Sequence, residues 1–170
     1  MKPTSHRALL ETISGFINEI GISCTEGPIP EITFLPGIAV VQGSLVYDVA
    51  RLKYPGDLLH EAGHLAVLLP ADRGLANGSD NISGDLDPGG AEMAAIAWSW
   101  AAKEALGVPA EVLFHDGGYQ EGGDALASNF EQGKYLGHYM LQWIGMTSTQ
   151  TQVQADMPLY PKMKRWLRQS

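Results

Sequence analysis

A single cysteine, Cys24, excludes an intramolecular disulfide and a cysteine-built zinc cluster, and it fits a reducing compartment. Charge is also scarce. Charged residues make up 18% of the chain, and the net charge of -8 leaves no basic stripe through its middle, which excludes binding to a phosphate backbone. The cations that do cluster, Lys162, Lys164, Arg165 and Arg168, suit a solvated helix face. No apolar run approaches the length of a transmembrane helix. After Lys2, the pattern Leu9, Leu10, Ile13, Phe16, Ile17, Ile20 is broken by Glu11 and Glu19, so it does not form the apolar centre of a signal peptide. The expectation is a soluble, cytoplasmic protein with neither a nucleic-acid nor a membrane partner. What the chain does have is apolar bulk: 45% hydrophobic residues over 170 positions, enough for one domain, residues 1–170, with a real core.

Turn chemistry and periodicity divide that domain. Residues 5–20 have helical spacing and end at Gly21. The stretch "ITFLPGIAVVQGSLVYDV" is rich in β-branched residues and predicts two or three short strands, the last two forming a hairpin about Gly43-Ser44. Pro55 opens a helix that stops before Pro70. Residues 71–90 form a long polar loop. Its Asp80, Asn81, Asp85 and Asp87 are the usual turn formers, and their spacing fits no calcium-binding EF-hand loop. Asp87 as N-cap and Pro88 at the first turn then open a helix that Gly107 and Pro109 close. "AEVLF" predicts a short helix, residues 125–145 a longer amphipathic one, and residues 161–168 a last helical piece. The predicted class is α+β, a small mixed or antiparallel sheet packed on helices.

The segment "DLLHEAGHLAVLLP", residues 57–70, sets His60, Glu61 and His64 among apolar residues on nearly every side. Burying three polar side chains without partners costs about 2 kcal/mol or more each, so something has to satisfy them. His60 and His64 are four residues apart and share one helical face, where two neutral imidazoles can reach one metal ion. Glu61 then lies beside the metal, where it can take a proton from an activated water. Zinc is the natural occupant: it favours nitrogen and oxygen ligands, and a catalytic site uses three protein ligands with one place open.

The third ligand is sought downstream. Glu92 is the first carboxylate inside the helix that follows Asp87, and small residues one turn on, Ala95 and Ser99, permit close packing against the histidine helix. As an acid near a helix start, Glu92 also suits the helix dipole. The rivals are Asp85, Asp87, His115, Asp116 and His138, of which Asp87 is better explained as the cap.

His60-Glu61-Ala62-Gly63-His64 with a helical Glu92 downstream resembles the gluzincin branch of the zincin metallopeptidases, and the compact length resembles its minimal, ImmA-like members. The resemblance covers roughly residues 38–105. It implies that His60, His64 and Glu92 bind zinc, that Glu61 is the general base, and that an edge strand near Val40 to Val49 pairs with an extended peptide or protein substrate. The related metzincins need a third histidine soon after the motif, and "LAVLLPADRG" has none. Family members also supply a Tyr or His to the developing oxyanion; Tyr119, Tyr135, His138, Tyr139 and Tyr160 are all available for that role. The expected function is a zinc-dependent peptide hydrolase. Two alternatives are a hydrolase of non-peptide amides using the same four residues, and a zinc-containing binding or regulatory module without catalysis. An intact Glu61 argues against the second, since a module that only binds has no need of a base.

Overall fold

Asn18, near the end of the first helix, shows how this chain joins its layers. In the computed structural model, which describes residues 5–78, 83–117 and 122–170, helix α1 spans His6–Glu19 and is capped by the Ser5 hydroxyl, which accepts from the Ala8 amide. Leu10, Ile13 and Ile17 bury its apolar stripe. The Asn18 side chain donates to the Cys24 carbonyl at 2.7 Å and accepts from the Cys24 amide at 2.9 Å. That pair of bonds holds the short strand β1 (Cys24–Glu26), which the turn-rich sequence around it does not predict.

Strands β2 (Ile38–Val41) and β3 (Ser44–Tyr47) form the predicted hairpin, and β1 adds to β3 in parallel, so the sheet is mixed, in the order β1-β3-β2. The two turn residues are Gln42 and Gly43, both with positive φ, the conformation a two-residue hairpin requires. Gly43 is needed twice over, because a Cβ there would lie 2.3 Å from the Arg73 carbonyl oxygen. The segment Ile32 to Phe34 is no strand; it forms a strap beside β2. Since β3 is central, β2 supplies the edge facing away from β1, and the stretch beyond Val41 offers none.

Helix α2 (Gly56–Ala66) carries the histidine motif and buries Leu58, Leu59, Ala62, Leu65 and Ala66. Its closest neighbour is α4 (Pro88–Leu106), with Asp87 as the predicted N-cap and Gly107 as the left-handed stop. Gly63 sets how near the two helices come. A Cβ at Gly63 would meet the Ala95 carbonyl oxygen at 2.8 Å and the Ala95 Cα at 3.2 Å. In an exposed helix Gly→Ala stabilises by about 0.5–1 kcal/mol, but here backbone blocks the methyl group. Gly63→Ala is therefore expected to destabilise the protein by about 1–3 kcal/mol, read as a lower midpoint in urea.

The remaining helices are α3 (Pro70–Arg73), α5 (Ala110–Leu113), α6 (Gly123–Glu131) and α7 (His138–Trp143), giving seven helices and three strands among the described residues, an α+β architecture. Several expectations fail. Helix α3 occupies the start of the stretch 71–90 expected as a loop. Residues 125–145 are not one helix: Gly133 and Gly137, both at positive φ, separate α6 from α7. Residues 161–168 are turns rather than a helix. They are held by long-range bonds, from the Trp98 indole to the Trp166 carbonyl and from the Arg168 amide to the Ala66 carbonyl. Arg168 does not belong to a solvated face either. It is buried, and its guanidinium grips Asp85 through two bonds of 2.7 and 2.9 Å. Arg73 donates to the Leu65 and Leu68 carbonyls, so two arginines close the carbonyl end of the motif helix. Among the described residues no helix is long and apolar enough to cross a membrane.

Candidate metal centre

Helical spacing alone brings His60 and His64 to one face, and their rings stand nearly perpendicular, at 89°, with centroids 4.8 Å apart. The Nε2 atoms point at each other across 3.2 Å. Glu92 reaches over from α4, its Oε1 3.3 Å from His60 Nε2 and its Oε2 3.0 Å from His64 Nε2. The three ligand atoms lie within 4.8 Å of one another. Ligands held about 2.0–2.1 Å from a tetrahedral ion sit about 3.3 Å from each other, so the histidine pair is already at the spacing of a tetrahedral edge. Glu92 lies beyond the first turn of α4, where the helix dipole has little hold on it. The carboxylate is placed by the histidines.

The electrostatics are those of a tightly coupled cluster. Hydrogen bonds from His60 and His64 hold the Glu92 carboxyl well below the usual carboxylate range. Burial works to depress His60, but the bond to Glu92 and the fields of Glu92, Glu61 and Asp57 outweigh it and lift the imidazole above its ordinary value. Glu61 is only 3% exposed, and its Oε2 is buried with no hydrogen-bond partner. Burial raises its carboxyl, against the opposing pull of the two histidines. One buried carboxylate oxygen is thus left without a partner beside the histidine pair.

Most of the other proposed ligands are otherwise engaged. Asp85 is taken by Arg168, and Asp87 caps α4 by accepting from the Gly90 amide. His115 is buried against α2, with its Nε2 2.6 Å from Asp57 Oδ1 and its ring stacked on Tyr54 at 3.7 Å. Asp116 is exposed. His138 packs among Tyr135, Tyr139 and Tyr160 around a cavity of about 400 Å³ whose lining shares no residue with the metal group. Of the oxyanion candidates, Tyr160 spends its hydroxyl on the Ala97 carbonyl at 2.8 Å; Tyr119 lies outside the described residues, as do Asp80 and Asn81 of the long loop. Asp57 is the residue that sequence reasoning overlooked. It stands one turn before Glu61 on the same helix, a spacing visible in the sequence, but its partner His115 comes from a distant loop.

No protein-family model, curated protein or solved structure matches the chain, so the functional reading rests on this geometry.

Proposed function

We propose that this chain is a zinc-dependent hydrolase of gluzincin type, a metallopeptidase in which His60, His64 and Glu92 hold the metal and Glu61 is the general base. The observation that carries the reading is the 3.2 Å approach of two imidazole Nε2 atoms beneath a shared carboxylate, a donor set and spacing suited to zinc. Zinc bound there supplies Lewis acidity, polarising a carbonyl and making a nearby water acidic near neutral pH. The protein's own part falls to Glu61. Its carboxylate would take the proton from the attacking water and deliver it to the leaving amide nitrogen. Burial keeps that carboxylate dry and raises its basicity, which suits a group that must accept and then release a proton.

The substrate is an extended peptide at the edge of β2, an outer strand of the sheet. A cytoplasmic setting belongs to the same reading, supported by the lone Cys24, a buried thiol that desolvation pushes up to about 12 and so leaves inert. The test is elemental analysis of the purified protein followed by incubation with a mixed peptide library. About one zinc per chain is expected, with peptide cleavage abolished by a chelator and restored by zinc. A protein that takes up no zinc, or cleaves nothing when loaded, overturns the reading.

A further inference from the structure

A cavity of about 480 Å³ is lined on one side by Glu61 and on others by β2, Gly78 and the strap, residues 30–35. Ile32 and Phe34 on that strap are 90% and 70% exposed. Large apolar side chains left in water forgo the burial that normally fixes such residues, so something else must hold the strap in place. Arg51 does so, donating to the Pro30 carbonyl at 2.9 Å and to the Glu31 carbonyl at 2.5 Å. Thr33 adds a bond to the Leu35 carbonyl at 2.6 Å. The strap is thus pinned through its backbone, and its two apolar side chains remain available.

The edge of β2 offers a complementary feature. Gly37 turns its carbonyl toward β3, where it accepts from the Asp48 amide, so Ile38 and Val40 turn their backbone groups outward. The Ile38 amide is used by Leu35, and the Val40 carbonyl by Gly78. Among the described residues the Val40 N–H and the Ile38 C=O have no partner. One donor and one acceptor on neighbouring outward positions of a strand are what an extended backbone can pair with.

We infer that the strap is the specificity wall of this site: the groove takes an extended peptide segment, with its backbone on Val40 N–H and Ile38 C=O and one large apolar side chain against Ile32 and Phe34. The inference rests on the reading of Glu61 as the base, because Glu61 lines the same groove. It goes further in naming which side chain the substrate presents. Among the described residues the groove's lining contains no cation, so an acidic side chain finds no partner there.

The test uses the full chain carrying Glu61→Gln, loaded with zinc, and short dye-labelled Gly/Ser peptides whose central residue is Leu, Phe, Lys or Asp. Fluorescence anisotropy is expected to show the Leu and Phe peptides bound about tenfold or more tighter than the Lys and Asp peptides. With Ile32→Ser/Phe34→Ser added, the preference should shrink to about twofold or less while zinc content stays the same, since both side chains already face solvent. Equal binding of all four peptides overturns the inference, as does a preference that survives the double substitution. So does binding of phosphatidylcholine vesicles that is lost with the double substitution while the peptides show no preference. The two proposals can fail separately. Peptide selectivity in a protein that takes up no zinc leaves the strap assignment standing and removes the hydrolase; zinc-dependent cleavage without side-chain preference does the reverse.

Discussion

Glu92→Ala is expected to strip the protein of its zinc. The motif helix supplies two nitrogen ligands, and a tetrahedral catalytic site needs a third donor with one position left open. Glu92 is the proposed donor: each of its oxygens lies near one Nε2, at 3.3 and 3.0 Å. Removing a residue that merely supports a ligand weakens metal binding by about 10–100-fold, so loss of a ligand should exceed the upper end of that range. The effect can be read as stabilisation. With free zinc at 100 times the wild-type Kd, binding adds about 2.7 kcal/mol to wild-type stability. A variant weakened 100-fold gains only about 0.4 kcal/mol at the same zinc concentration. His64→Ala should behave in the same way, whereas His115→Ala, which removes a ring held by Asp57 and Tyr54, should keep the zinc-dependent gain. If Glu92→Ala retains the full zinc-dependent rise in thermal midpoint, the third ligand has been assigned wrongly.

The parts of this molecule legible in the sequence are those fixed by neighbours along the chain. Asp87, Pro88 and Gly107 bracket α4 because caps act within one turn. The approach of His60 to His64 follows from helical spacing, and the hairpin from a two-residue turn between β-branched runs. The features that were missed depend on partners far away in sequence. Nothing within Cys24–Glu26 announces a strand; its register comes from β3 and its anchor from Asn18. The apolar pattern from 125 to 145 runs on past Gly133, but the positive φ of Gly133 and Gly137 is a backbone fact that the pattern does not encode. A Cβ at Gly137 would sit 2.0 Å from the Met93 carbonyl oxygen, so close approach to α4 decides the break.

The C-terminal stretch makes the same point through charge. Arg168 looks like the last cation of a solvated face, because the sequence cannot reveal that Asp85 lies against it. The fold uses that pair, with Arg73, to close the end of α2, and so links a distant segment to the helix that carries the histidines. The cluster of His60, His64 and Glu92 is nearly readable because both its helices are set by local signals and only their approach is non-local. The strap is not. Residues 30–35 carry strand-like composition, and it takes Arg51, about twenty positions on, to hold them out of the sheet.

Glu61→Gln is expected to keep its zinc and lose its hydrolysis, by about 10²–10⁴-fold in kcat. The substitution preserves shape and leaves His60, His64 and Glu92 untouched, but an amide cannot accept the proton of an attacking water. The structure adds a second expectation. Glu61 is buried, and its carboxyl is raised chiefly by desolvation, so above that raised pKa the folded state holds a charge it disfavours. A group whose folded pKa is raised in this sense lowers stability as pH climbs through it, and the neutral amide removes the penalty. Metal-free Glu61→Gln should therefore melt higher than metal-free wild type at neutral pH, with the difference fading as the pH falls and the wild-type carboxyl gains its proton. Loss of zinc together with activity would instead mean that Glu61 anchors the metal. A melting point unchanged at every pH would mean that its burial carries no electrostatic cost, and the basicity argued for it would lose its physical cause.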